Sequence, residues 1–558
     1  MEEIIMHRLT KRTFSTLSAL LSLSLTAPCL QYMQAAEKIV PTIISSSTNP
    51  LVQTESGKVR GYIHKGTYIF KGIPYAQAER FMPPQKPTPW EGYKSTLTYG
   101  PWSPQTLSGS LTRDEELFTM EPAYMVQGED CQKLNVWTQG TNDQGKRPVM
   151  VWLHGGGYMA GSASEQSAYD GENLSKKGNV VVVSLNHRLN ILGFLDLSAF
   201  GEKYKYSANV GMMDIVVALQ WINKNIANFG GDPGNVTIFG QSGGGGKVST
   251  LIGIPSAKGL FHKAIVESGS GLKAGDAGMS KKIGIAVVAE LGLKPEQVDQ
   301  LQKIPYDVLS AAGEKAIRKV REEMMKSGTA PGAGARMMMG WSPVLDGDFI
   351  PAHPFYPAAS ELSKGIPMLI GTTINEIFPS LLDPKLRNAT QTQVEENLKS
   401  KYGDRTAAFI EEFGKVFPGY KPGDLLDFNV RTNAITQATL KAAQNGAPVY
   451  VYLFAWQNPL FDGVYKAIHC MEIPFVFNNA LHSEKFTGGS PEAIALGDRV
   501  SQAWINFART GNPNHAGLPA WPAFTDKKQS TMVFDNNCVV KENYDRRLME
   551  IAGSSSPF

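Results

Sequence analysis

Val236-Thr237-Ile238-Phe239-Gly240-Gln241-Ser242-Gly243-Gly244 passes from a β-branched and aromatic run straight into a glycine-flanked serine. Such a run reads as a buried strand. The glycines two positions to either side of Ser242 mark a sharp turn with the hydroxyl at its tip. That turn strains the serine backbone, and side chains at Gly240 and Gly244 would collide with the strand or with the helix that follows. A serine presented in this way is a nucleophile elbow. The pentapeptide alone is a weak signal, so its surroundings decide the reading.

His154-Gly155-Gly156-Gly157 directly follows a second buried-strand run, Val149-Met150-Val151-Trp152-Leu153. Three glycines beyond a strand leave backbone N–H groups bare. Acyl transfer passes through a tetrahedral oxyanion, and a donor fixed about 2.7–3.1 Å from that oxygen is worth roughly 3–4 kcal/mol in barrier height. The expected donors are the N–H groups of Gly156, Gly157 and Gly243, the last being the residue after the nucleophile. The competing reading is a glycine-rich turn without chemistry.

Where a serine elbow is catalytic, the chain order is serine, then an acid, then histidine. Glu376 lies just past the strand-like Pro367-Met368-Leu369-Ile370, and catalytic groups in parallel sheets gather at the carboxyl ends of strands. The histidines further on are His469, His482 and His515, and His482 sits in a polar stretch. Val180-Val181-Val182-Val183 reads as a strand buried on both faces, within 178–185. Ile215, Leu219, Ile222 and Ile226 form a helical stripe within Val210–Asn228 that is expected to pack on the sheet. Strands alternating with helices indicate an α/β class with a mostly parallel sheet.

With 558 residues, 42% hydrophobic and 19% charged, the chain can bury a large core. His7, Arg8, Lys11 and Arg12 precede a short apolar run, Phe14 to Leu25, and small residues ending at Ala35-Ala36. This reads as a signal peptide over 1–36 and implies a secreted or periplasmic protein. A lipoprotein reading at Cys29 is disfavoured by Pro28. The run is too short for a membrane span, and no other stretch reaches the length a span needs. The net charge is +3, and removing Arg8, Lys11 and Arg12 together with Glu2 and Glu3 leaves +2. That balance points away from nucleic acid and from charged membranes. No zinc-type cysteine spacing or phosphate loop occurs, so neither a metal nor a cofactor is expected.

The elbow and the glycine turn belong to an ordered set of motifs. Phe70-Lys71-Gly72-Ile73-Pro74-Tyr75-Ala76, Arg80-Phe81, Glu129-Asp130-Cys131, Leu134-Asn135-Val136, Phe229-Gly230-Gly231-Asp232-Pro233 and Asn506 to Asn514 (NFARTGNPN) run with them from about Val52 to Tyr544. In this set the chain resembles the type-B carboxylesterases. The resemblance implies an α/β-hydrolase fold, a mostly parallel sheet flanked by helices with lid and gorge insertions, as one catalytic domain over 37–558. It also implies a Ser242–Glu376–His469 triad, because Ala467-Ile468-His469-Cys470-Met471-Glu472 matches the family's histidine segment, with its usual glutamate three residues on. Ser268 matches a serine that lies near the triad acid in the family.

Departures from the family sharpen the expectation. Gln241 stands where an acid is common, and Gly243 where alanine is usual. The cationic-substrate relatives use that acid, so its absence argues for neutral, moderately apolar esters. Ser103 occupies the place of the usual partner of Cys131, which is expected to be a small buried hydrophobe. Cys470 and Cys538 are the other cysteines beyond the leader. The spacer before Arg80-Phe81 is shortened to Gln77-Ala78-Glu79, which would widen one side of the gorge. From Lys273 to Gly340 the pattern turns helical and then loose, ending in Met337-Met338-Met339, which would line an adaptable acyl pocket or pack a lid helix. The substrate expected is a small-molecule ester, and oligomeric state is left open. The alternatives are the same triad on a carbamate, lactone or amide, and a non-catalytic adhesion relative, which would lack the nucleophile.

Overall fold

The computed structural model describes residues 41–106, 126–327 and 340–553. The expected leader, Cys29 and Met337-Met338-Met339 lie outside them. Residues Met1–Ile44 and Ser45–Phe558 are separate units. In the first, Ile43–Ile44 is a two-residue strand.

The second unit is organised by one long sheet. Its strands are β1 (Tyr62–His64), β2 (Thr67–Pro74), β3 (Lys133–Thr138), β4 (Arg147–Leu153), β5 (Val181–Leu185), β6 (Gly231–Gln241), β7 (Lys263–Glu267), β8 (Met368–Thr373), β9 (Val449–Phe454), β10 (Thr531–Phe534) and β11 (Val539–Lys541). They lie side by side in the order β1-β2-β3-β5-β4-β6-β7-β8-β9-β10-β11. Pairing is parallel from β5 to β10 and antiparallel between β1 and β2, β2 and β3, β3 and β5, and β10 and β11. Leu51–Thr54, Gly57–Arg60 and Tyr93–Ser95 make a separate small sheet.

The apolar runs are continuous because the central strands are covered on both sides, and period-2 alternation divides each run between two cores. Val149, Val151, Val181, Val183, Val236 and Ile238 join one core. Met150, Trp152, Val182, Phe239, Ile265 and Leu369 join the other. Helix α1 (Val210–Asn225) covers the first face. The stripe Ile215, Leu219, Ile222 and Ile226 is fully buried there, Ile226 sitting in the 3₁₀ turn after the helix. Helix α3 (Pro491–Thr510) covers the second face with Leu496, Val500 and Trp504. Helix α2 (Gly243–Leu251) starts at the end of β6. The strand expected over 178–185 begins later, because Gly178 closes the preceding helix, Glu172–Gly178, and Asn179 caps it in the left-handed conformation.

Register aligns the carboxyl ends. Gly240 pairs with Leu153, Gln241 with Glu267 and Glu267 with Gly371. The residues that follow these strand ends, His154-Gly155-Gly156-Gly157, Ser242, Ser268 and Glu376, therefore emerge at one edge of the sheet.

Candidate active site

Ser242 caps α2 with φ 57° and ψ −123°, a strained conformation for a residue with a side chain. It is held there from both sides, since its N–H donates to the Glu267 carbonyl at 2.8 Å and its own carbonyl accepts from Gly246 at 3.0 Å. The flanking glycines are required sterically. A Cβ on Gly240 would lie 2.5 Å, and one on Gly244 1.9 Å, from the Leu153 carbonyl oxygen.

The glycine turn reaches the elbow directly. A Cβ on Gly243 would lie 2.3 Å from the Gly157 carbonyl oxygen and 2.4 Å from its nitrogen. The alanine usual in the family would clash at this separation. Gly156 and Gly157 have φ of 80° and 66°. Among the described residues no backbone acceptor takes the N–H of Gly156, Gly157 or Gly243.

Glu376 follows β8 with φ 46°. Thr373 holds it reciprocally: the Thr373 N–H donates to Oε1 and the Glu376 N–H donates to the Thr373 hydroxyl, each at 3.0 Å. The other oxygen, Oε2, accepts a short hydrogen bond from Nδ1 of His469, and the His469 N–H donates to the Glu376 carbonyl at 3.1 Å. The carboxylate thus fixes a proton on Nδ1 and leaves the lone pair on Nε2. Burial disfavours the imidazolium, but the charge and hydrogen bond of Glu376 raise the His469 pKa above its usual value. The amide nitrogen of Gln241 lies 3.3 Å from both ring nitrogens, while its Oε1 accepts from the Cys470 thiol at 3.1 Å. Among the described residues Ser242 Oγ has no hydrogen-bond partner, so the structure does not join it to His469. Among the described residues His482 makes no hydrogen bond with Glu376, and His515 bonds the Arg499 carbonyl instead.

A layer of buried carboxyls lies beneath. Ser268 Oγ donates to Glu472 at 3.4 Å, and Glu267 accepts from Trp504 Nε1 at 2.7 Å. Burial raises both carboxyls to about 8, the charge of Glu267 pushing Glu472 in the same direction. The sequence singles out Ser268 and Glu472 but not Glu267, although it immediately precedes Ser268. Cys131 is fully buried, and Cys131, Cys470 and Cys538 are all free thiols. Phe81 is fully buried, and Arg80 beside it donates to the Leu301 and Ile304 carbonyls at 3.1 and 2.5 Å. A cavity lined by Gln77, Glu79, Met82 and Gln85 opens at the shortened spacer. Among the described residues no helix is long and apolar enough to cross a membrane, and no cluster of three or more His, Cys, Asp or Glu could hold a metal ion.

The carboxylesterase family profile matches residues 48–416 and 423–551. The para-nitrobenzyl esterase of Bacillus subtilis is 34% identical over 506 residues, covering 89% of this chain and 97% of its own. The phenmedipham hydrolase of Pseudarthrobacter oxydans is 33% identical, covering 87% of this chain and 95% of its own. Among solved structures, an esterase from Clostridium hathewayi that can hydrolyse aliphatic aromatic polyesters superposes with TM-score 0.79 at 38% identity. That match covers 92% of this chain and 99% of the other. These relatives share the α/β-hydrolase architecture over nearly the whole length. The chain belongs to the carboxylesterase family and is a carboxylic-ester hydrolase.

Proposed function

We propose that the protein is a serine carboxylesterase that cleaves neutral, moderately apolar esters through an acyl-enzyme on Ser242. The reading is carried by the Glu376–His469 hydrogen bond at the strand ends beside a strained serine. His469 Nε2 takes the hydroxyl proton as Ser242 Oγ attacks the ester carbonyl, and Glu376 holds the imidazole in its tautomer and balances the imidazolium. The oxyanion is received by the N–H groups of Gly156, Gly157 and Gly243. The imidazolium then protonates the leaving alcohol, and water, activated by the same histidine, releases the acid and restores Ser242. The Ser242–His469 hydrogen bond closes as substrate seats, because catalytic hydrogen bonds in unliganded enzymes are often long.

The substrate preference rests on the surroundings. Gln241 brings no negative charge to the serine. Ile377, next to Glu376, is 50% exposed, and Met159, in the glycine turn, is 55% exposed. Leu382 and Phe461 are also exposed, near an apolar cluster of Phe378, Leu381 and Tyr465. Aryl carbamates are a second substrate class, favoured by the likeness to phenmedipham hydrolase. The leader-like segment at 1–36 supports a secreted or periplasmic enzyme.

The test is labelling with a fluorophosphonate, whose tetrahedral adduct occupies the oxyanion donors. Mass spectrometry of the digested protein is expected to find one adduct, on the peptide containing Ser242, and excess neutral aryl ester is expected to slow its formation. Labelling confined to another serine would refute the assignment.

A further inference from the structure

Lys247 sits on the second turn of α2, five residues after Ser242, and it is fully buried. Its ammonium donates to the His154 carbonyl at 2.8 Å. His154 in turn lies against the Gly155 carbonyl, with Nδ1 at 3.0 Å. Because that neighbour can only accept, the proton sits on Nδ1 and the bond runs from the imidazole to the carbonyl. The ring is fixed by stacking on His187, with centroids 5.2 Å apart and an interplanar angle of 22°. The Gly155 carbonyl belongs to the peptide whose N–H is that of Gly156. Two carbonyls in succession, at the start of the glycine turn, are therefore gripped from behind, one of them by a cation.

We propose that Lys247 is a positioning residue for the oxyanion donors. Its ammonium ties the elbow helix to the His154 carbonyl, and the His154 imidazole passes the constraint to the Gly155–Gly156 peptide. The inference rests on the oxyanion role given above to Gly156, Gly157 and Gly243.

A hydrocarbon side chain would fill the same space without the cost of burying an ammonium, so the charge needs a role that packing alone does not supply. Protonated, Lys247 is the stronger donor to a carbonyl, and as pH rises through about 7 the neutral amine still keeps an N–H for the His154 carbonyl, so the tether persists where His469 is neutral. The groups that face it are Glu165, His154 and His187. Burial lowers the Lys247 pKa to about 7, with Glu165 opposing. Burial raises Glu165 to about 7, with a Tyr169 hydrogen bond and the charge of Lys247 pulling the other way. Both histidines are held well below their usual pKa by burial and by Lys247, and so stay neutral.

The experiment compares wild type with Lys247→Met, which keeps the shape and removes the charge, and with Lys247→Gln, which keeps an N–H donor without charge. Each is assayed on one aryl ester. Binding is measured for a trifluoromethyl ketone, which forms the tetrahedral oxyanion, and for the matching secondary alcohol, which cannot. Lys247→Met is expected to lower kcat by about tenfold to a hundredfold, less than the roughly 10²–10³ seen when an oxyanion donor is lost outright, with KM within about threefold. Ketone affinity is expected to fall by a factor similar to that for kcat/KM while alcohol affinity holds, and Lys247→Gln to fall between. If Lys247→Met does not fold, Lys247→Gln alone must show the selective loss of ketone affinity. A kcat within about threefold of wild type in the folded variant, or equal losses of ketone and alcohol affinity, would overturn the proposal. Fluorophosphonate labelling of wild type is the separate control, since failure to label Ser242 sinks the underlying serine-esterase reading and not the role of Lys247.

Discussion

Gln241 turns its amide nitrogen to His469, 3.3 Å from both ring nitrogens, and its carbonyl oxygen to the Cys470 thiol. The residue before Ser242 thus borders the imidazole itself. A carboxylate in its place would be a second negative charge on the imidazolium, beside Glu376.

The acid limb of activity follows from that environment. In the proposed mechanism His469 acts as a base only when neutral; burial lowers its pKa, but the charge and hydrogen bond of Glu376 outweigh it and raise the pKa above the ordinary 6.5. Activity is therefore expected to be present above the raised pKa and to fall as pH drops through it, at a higher pH than for an unperturbed histidine. The measurement is kcat/KM against pH with a neutral ester. A limb at or below the ordinary value would contradict the Glu376–His469 coupling.

Gln241→Glu is expected to move that limb further up, because an added anion near the ring favours the imidazolium. At a fixed acidic pH, kcat/KM is lower by about tenfold for every pH unit that the limb moves, whereas on the alkaline plateau it stays within about threefold of wild type. An unchanged limb would show that the residue at this position does not act on His469 in solution.

Glu376 and Glu472 are separated by their state at neutral pH. Glu376 carries the hydrogen bond to His469, so Glu376→Gln is expected to lower kcat by on the order of 10³–10⁴ with little change in KM, through loss of the correct tautomer. Glu472, raised to about 8 by burial first and by Glu267 and Glu376 next, holds a proton at neutral pH. Glu472→Gln resembles that neutral form and should leave kcat within about tenfold. If Glu472→Gln were the more damaging in folded protein, the acid assignment would fall.

How far the site was legible depends on what a one-dimensional pattern records. The runs at Val149–Leu153 and Val236–Phe239 are apolar or β-branched throughout because both faces of the sheet are covered, and that coverage produces a readable string. The glycines at Gly240 and Gly244 are readable for a similar reason, since the close approach of the Leu153 carbonyl excludes every other residue. Lys247 and Glu165 give no such signal. Lys247 is a charged side chain in a glycine-rich stretch, and its burial follows from tertiary packing of α2 against the glycine turn, while Glu165 lies in a polar stretch and is only partly buried. Glu267 is hidden differently. It ends a five-residue strand that is buried throughout, where a protonated carboxyl behaves as a neutral polar group and only its Trp504 partner, far along the chain, accounts for it.

Glu267 also bears on stability. Its carboxyl is raised from 4.5 to about 8 by burial, with the Trp504 hydrogen bond working in the opposite direction. The folded protein therefore keeps a proton that the unfolded chain releases above 4.5. Stability is expected to decline as pH rises through that window to about 8. Glu267→Gln keeps an acceptor for Trp504 and removes the ionisation. It should be the more stable protein at alkaline pH, by on the order of 1–3 kcal/mol relative to its difference from wild type at pH about 5, read from denaturant midpoints. A parallel decline in both proteins would show that Glu267 is not the group responsible.

The alcohol side of the substrate is decided by charge. Cation selectivity needs an anion within a few ångströms of the ammonium, in a site dry enough to leave it unscreened. Gln241 supplies none, and Glu267 and Glu472 are both neutral carboxyls near pH 7. A net charge of +3 also gives no long-range attraction for a cation. An uncharged 3,3-dimethylbutyl ester, which has the shape of a choline ester without its charge, is therefore expected to have the higher kcat/KM, because the choline ammonium is desolvated without compensation. The preference should narrow or reverse in Gln241→Glu assayed on the alkaline plateau, where the new carboxylate is ionised and His469 is neutral. A higher kcat/KM for the choline ester in wild type would overturn the neutral-substrate assignment and leave the Ser242 chemistry untouched, since that chemistry is read independently from fluorophosphonate labelling.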